Sequence, residues 1–185
     1  MRSLLVGLVV LVAIFVAAVQ SRPDRYTVVR EKVVAAPAPA VYGLVSDFHG
    51  WRQWSPWDEL DPDMTRTFGG SASGEGATYA WKGNDDVGEG NMTITSVVPD
   101  RNVTIDLNFV QPFSAENVTR FDFIPQGEGT KVTWTMDASS GGFVGKAMGL
   151  FMDFDAMIGD DFVKGLDKLE AAAKLHAQTS SVAAG

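Results

Sequence analysis

The chain has no cysteine among its 185 residues. That excludes disulfides, thiolate metal sites and cysteine nucleophiles. It leaves the compartment open, because a chain without thiols folds on either side of a membrane. Histidine is nearly as scarce, with only His49 and His176. Positive charge is the minority sign: 15 Lys and Arg stand against 23 Asp and Glu, a formal net charge of −8. This balance repels phosphate backbones and argues against a nucleic-acid partner; it equally repels anionic headgroups, so charge does not hold the folded part to a membrane. With 45% hydrophobic and 21% charged residues, the composition is globular, and the length suits one domain plus an extension.

The extension is the N-terminus, where no polar side chain interrupts Leu4 to Val19. As a helix this stretch rises about 24 Å, against a hydrocarbon core of about 30 Å. Ser3 and Gln20 can sit at the interfaces, and local thinning absorbs the mismatch. The expected reading is an uncleaved transmembrane anchor. A cleaved signal segment, leaving a secreted domain, is the alternative, but Val19 and Gln20 spoil the small-residue window after Ala17-Ala18. Arg2 favours a cytoplasmic start while Arg22, Arg25 and Arg30 follow the span. The domain is expected on the extracytoplasmic side, with the cytoplasmic side as the alternative. The division is then an anchor or signal over residues 1–22, a domain over 23–175 and a flexible tail over 176–185.

Alternating patterns predict six to seven antiparallel strands. Tyr26 to Val34 comes first; Val41, Leu44 and Val45 then mark a short helix opened by Pro39. Trp51, Trp54 and Trp57 have the spacing of one helical face, which Pro56 breaks before Trp57 completes it. Strands follow at 65–68, 77–82, 88–98, 103–109, 115–124 and 131–137, joined by short turns. Phe151, Phe154, Ile158, Phe162, Leu166, Leu169 and Ala173 recur at helical spacing and predict one long amphipathic helix. Glycines 145, 149, 159 and 165 interrupt it, implying irregularity or close approach of another backbone. The sum is an α+β domain: a curved antiparallel sheet around a long C-terminal helix, with space between them.

Certain motifs carry a family resemblance. Val33-Val34-Ala35-Ala36-Pro37, Val41-Tyr42-Gly43-Leu44-Val45 and Asp47 resemble the opening of the START-like, or SRPBCC, superfamily. Trp54-Ser55-Pro56-Trp57, Gly74-Glu75-Gly76-Ala77, Trp81-Lys82-Gly83-Asn84 and Val87-Gly88-Glu89-Gly90 are similar to its bacterial polyketide cyclase/dehydrase-like branch, whose members often begin with one apolar segment. Thr130-Lys131-Val132-Thr133-Trp134 and Gly165-Leu166-Asp167-Lys168-Leu169 match its C-terminal part. The resemblance implies the helix-grip fold with a deep apolar cavity. It implies no single activity, because members carry lipids, bind hormones, cyclise polyketides or assist other proteins.

Catalytic motifs are wanting. His49 sits in a turn, His176 in the tail, and neither has a neighbouring nucleophile that suggests a triad. Glu75 and Glu89 are carboxylate candidates whose ordinary reading is solvation. Asp58, Glu59, Asp61 and Asp63 lack EF-hand spacing and read as a solvated acidic turn. The stretch from Gly69 to Gly76 reads as a flexible connection or a cavity lip, not a phosphate cradle. No catalytic residue, metal site or cofactor is assigned. Aromatics and methionines are the informative set. Trp51, Trp54, Phe68, Tyr79, Trp81, Met92, Phe109, Phe121, Phe123, Trp134, Met136, Phe151, Phe154, Met157 and Ile158 are the expected cavity residues. Core packing explains many of them singly; together they give an apolar wall. The expected function is membrane-tethered binding of a hydrophobic small molecule, lipid-like or aromatic. A cyclase/dehydratase-type enzyme and a membrane-associated adaptor are the alternatives.

Overall fold

The computed structural model describes residues 2–112 and 114–183. Seven strands form one antiparallel sheet: β1 (Arg25–Val34), β2 (Thr65–Gly70), β3 (Ala77–Lys82), β4 (Glu89–Val98), β5 (Asn102–Gln111), β6 (Ala115–Gln126) and β7 (Gly129–Ser139). Their order is β1-β7-β6-β5-β4-β3-β2, so short hairpins build every pair except β1 with β7. Period-two patterning sets the register. On β6, Val118 and Arg120 turn outward while Thr119, Phe121 and Phe123 are buried, and Phe121 lies opposite Trp134 of β7.

Four helices accompany the sheet: α1 (Arg2–Gln20), α2 (Ala38–Ser46), α3 (Gly142–Met148) and α4 (Phe154–Ala183). With 19 residues, α1 spans about 28 Å, long and apolar enough to cross a membrane, a description that also fits a signal sequence. Helix α2 starts with proline in its first turn and buries Val41, Leu44 and Val45. Asp47 then accepts the His49 backbone N–H at 2.9 Å and caps a 3-10 turn over Phe48–Gln53; a second covers Pro56–Glu59. Pro56 therefore restarts the chain rather than diverting it, and all three tryptophans point inward. Trp51 and Trp54 donate their indole N–H groups to the Val45 and Leu44 carbonyls at 2.9 and 3.2 Å, which satisfies their polar edges inside the core.

The C-terminal region differs from the single helix that the spacing predicts. A separate α3 holds Gly145, and Gly149 and Phe151 lie in the link after it. The reason is a cap: the Asp153 carboxylate accepts the Ala156 backbone N–H at 3.0 Å, so α4 begins at Phe154. In α4 the two glycines answer to side chains, not to another backbone. A Cβ at Gly165 would lie 2.8 Å from the Trp134 ring, and one at Gly159 would strike the Arg30 guanidinium. Past His176, where the sequence suggests a loose tail, α4 continues to Ala183, and His176 Nε2 lies 3.1 Å from Gln53 Oε1. Ala184 and Gly185 of that tail fall outside the described residues.

Ion pairs clamp β1 to α4. Arg30 meets Asp155 at 3.1 Å, and Lys32 meets Asp167 at 2.5 Å and Glu170 at 3.0 Å. Hydrogen bonds from Lys174 and Lys32 lower the Glu170 carboxyl to about 2 from an ordinary 4.5. A depressed carboxyl contributes stability that is complete above its unfolded pKa and fades as pH falls through the folded one. Glu170→Gln is therefore expected to lower the urea midpoint at neutral pH. The gap to the native chain should narrow below pH 4.5 and close near pH 2. A gap that persists unchanged in acid would mean that the carboxylate charge contributes nothing.

Candidate functional site

A cavity of about 170 Å³ lies between the sheet and the first turns of α4. Its walls come from Trp51, Trp57, Met64, Tyr79, Trp81, Val87, Met92, Leu107, Phe109, Trp134, Met136, Ile158 and Phe162, with Ser55, Asp58, Thr119 and Asp161 as the polar members. These positions cluster at one end of the sheet. Trp81 lies opposite Gly90 near the end of β3, Phe109 opposite Ala115 near the end of β5, and Met136 opposite Val28 near the start of β1. Gly90 gives Trp81 its place in the wall, since a Cβ there would stand 2.5 Å from the indole and 2.6 Å from the Asn108 carbonyl. Trp81 is further fixed by donating its N–H to the Val87 carbonyl at 3.0 Å.

The polar members differ in what remains free. The Thr119 hydroxyl accepts from Trp134 Nε1 at 2.8 Å and donates to the Thr135 carbonyl at 3.1 Å, so its capacity is largely used within the wall. Asp161 is partly exposed and pairs with Lys164 at 2.9 Å. Asp58 is half-buried, its side chain 11% exposed against 10% for Arg66, whose Nε donates to the carboxylate at 2.9 Å. The same guanidinium donates to the Met64 and Pro62 carbonyls at 2.9 and 3.3 Å. Asp58 is thus not the solvated turn residue that its acidic neighbours suggest; Arg66, eight positions along on β2, folds back over it. Asp61 is likewise engaged, accepting the Asn84 backbone N–H at 2.7 Å. Burial, and next the Asp58 charge, push the Tyr79 hydroxyl up to about 12, which keeps it a neutral hydrogen-bond donor at physiological pH.

Eight of the expected cavity residues line this space: Trp51, Tyr79, Trp81, Met92, Phe109, Trp134, Met136 and Ile158. Trp54, Phe121 and Phe123 belong to the closed core behind it, because α2 and the first 3-10 turn cover that part of the sheet. Phe68 stacks on His49 at 4.2 Å and faces an outer groove instead. Phe154 stacks on Tyr26 at 5.8 Å, Met157 is half exposed, and Phe151 is 82% exposed in the link before α4. Trp57, Leu107 and Phe162 also line the cavity, beyond the expected set, although the tryptophan spacing and the strand and helix periodicities put each on an inward face. The stretch from Gly69 to Gly76 does not line the cavity. It is tied down away from it, with Gly74 N–H on the Ser46 carbonyl at 2.8 Å and Gly76 N–H on the Ile94 carbonyl at 2.9 Å.

Both histidines line a separate outer groove between α2 and the C-terminal part of α4, where His49 is held by Asp47 at 2.9 Å. Neither lines the cavity. Trp51 and Trp54 are buried and Trp57 is half-buried against Trp134 and Phe162, so these three tryptophans form no exposed aromatic patch of the kind an adaptor could offer a partner.

Comparison with known proteins fits this architecture. Residues 25–174 match the family described as polyketide cyclase / dehydrase and lipid transport. Among solved structures, a protein from Mesorhizobium loti, MLL2253, superposes with a TM-score of 0.58 at 17% identity, covering 80% of this chain and 97% of that one. The di-domain ARO/CYC StfQ from the steffimycin biosynthetic pathway gives 0.58 at 11% identity, covering 83% of this chain and 52% of its own. Ara h 8.0201 gives 0.55 at 9% identity, over 84% and 99% of the two chains. At such identities the structural likeness establishes the fold alone. A comparison with curated sequences finds no match. The family match spans the sheet and most of α4, and on that ground the chain belongs to the polyketide cyclase / dehydrase and lipid transport family.

Proposed function

We propose that this protein holds a hydrophobic small molecule in the cavity under α4, in a domain over residues 23–175 that α1 tethers to a membrane, on its extracytoplasmic side. The observation that carries the reading is the cavity itself: an apolar space beside the buried core that the chain's own side chains leave unfilled. Its size selects among ligands. An apolar cavity of about 150 Å³ takes up benzene, whereas drug-sized ligands occupy roughly 300 Å³ or more. At about 170 Å³, a flat molecule of one or two rings fits the space as it stands, and an acyl chain requires α4 to shift outward. The neutral Tyr79 hydroxyl is suited to orient a ligand carbonyl or hydroxyl within apolar walls.

Native mass spectrometry of the full chain, released from detergent after incubation with 2-naphthol, tests the reading. The native chain is expected to carry one adduct. Leu107→Trp, which fills the cavity from β5, is expected to lower the bound fraction ~10-fold, equivalent to about 1.4 kcal/mol. Equal uptake by both chains would sink the proposal.

A second reading, a cyclase/dehydratase-type enzyme, draws on Asp58 and Tyr79, which put acidic and hydroxyl groups in the wall. With no histidine there, proton transfer would fall to those two side chains or to Asp161. Conversion of a bound polyketide-like chain, abolished by Tyr79→Phe without loss of binding, would support this reading over simple binding.

A further inference from the structure

We infer that the end of the domain carrying the cavity lies on the bilayer, with the link between α3 and α4 immersed in the lipid interface beside α1. The inference rests on the reading of α1 as a membrane anchor and adds an orientation to it. Only Ser21 to Asp24 separate α1 from β1, and four extended residues reach about 14 Å. The tether is also pinned: Arg22 donates to the Gly149 carbonyl and Asp24 meets Lys146 at 2.5 Å, which joins the foot of α1 to α3 and its link. The part of the domain nearest the membrane is therefore the end where β1 begins and β7 finishes. The cavity lies toward that same end, where Phe109, Met136 and Ile158 line it.

What this end presents to its surroundings is apolar where a water-facing loop would be polar. Phe151 is 82% exposed, with Phe143, Val144 and Met152 exposed around it on α3 and the link. At the opposite end, the turn after Val98 carries Pro99, Asp100 and Arg101. Large exposed aromatic side chains gathered at one tethered end gain by leaving water for the interface. Asp24 and Asp155 there are paired with Lys146 and Arg30, which leaves no strong excess of positive charge, so the contact depends on apolar burial and suits zwitterionic lipid. A bilayer-soluble ligand would then pass from lipid to cavity without crossing bulk water.

The absence of cysteine makes the test direct, because any single introduced thiol is the only labelling site. Full-length Phe151→Cys, Val10→Cys and Val98→Cys are labelled with an NBD fluorophore in phosphatidylcholine vesicles, with and without nitroxide-bearing lipids. The labels at 151 and 10 are expected to emit at shorter wavelength and to lose more than half of their intensity to the nitroxides, while the label at 98 loses little. Quenching at 10 with a water-exposed label at 151 overturns the inference and leaves the anchor standing. Water-exposed labels at both positions overturn the anchor, and the inference with it.

Discussion

Trp134→Ala is expected to destabilise the domain by about 3–5 kcal/mol, the range for truncating a buried aromatic. Trp134 is where the layers meet. Its ring stacks on Phe162 of α4 at 3.9 Å and 7°, lies 4.7 Å from Phe121 on the neighbouring strand, and meets Trp54 and Trp57 edge-on at 5.7 and 6.0 Å. Gly165 lets this ring approach, since its missing side chain leaves α4 in contact with the indole. Truncation removes those contacts while the rigid sheet and the helix cannot close the gap. For a domain of this size, the loss corresponds to a fall in Tm on the order of 10 °C. Urea unfolding followed by circular dichroism measures it, and a loss below about 1 kcal/mol would show that α4 is not held through this ring. Trp134→Phe keeps the stack but strips Thr119 of its indole donor, so it is expected to fall between the two. Because Trp134 also lines the cavity, the alanine variant should admit a larger adduct than the native chain, a change in ligand size that simple instability does not produce.

The strands were legible in the sequence because a two-residue period with one wet face fits little besides a half-buried strand, and all seven lie where the alternation places them. The break before α4 was harder to see. Phe151 and Phe154 are three apart and imitate a helical face, and only the Asp153 carboxylate, two residues after Phe151, marks the true start. Periodicity also reports only which face a residue occupies. Phe121 and Phe109 both point inward, yet Phe121 lies under the first 3-10 turn while Phe109 lines the cavity, a distinction set by where α2 and α4 cross the sheet. The polar part of the wall was the least legible. Asp58 sits in an acidic run whose ordinary reading is a solvated turn, and nothing local to it announces the guanidinium of Arg66 arriving from β2.

The partly buried pair of Asp58 and Arg66 gives the other large expected effect, and its sign depends on how it is broken. Asp58→Ala leaves the Arg66 guanidinium in the wall without its counter-charge, and Arg66→Met strands the carboxylate in the same way; each is expected to cost about 3–5 kcal/mol. Replacing both, as Asp58→Leu with Arg66→Met, removes two desolvated charges at once and is expected to cost far less than the sum of the single changes. It is not wholly neutral, because the Met64 and Pro62 carbonyls still lose the donors that Arg66 supplies at 2.9 and 3.3 Å. A double-mutant cycle by urea unfolding reads the coupling directly, and additive losses would mean that the two groups are solvated separately. The double variant also separates structure from recognition. It retains Tyr79, whose phenol is neutral at physiological pH with or without the Asp58 charge, and removes the Arg66 hydrogen bond to that hydroxyl. If the double variant still takes up the aromatic adduct, the ion pair serves to close the wall, and orientation of the ligand falls to Tyr79.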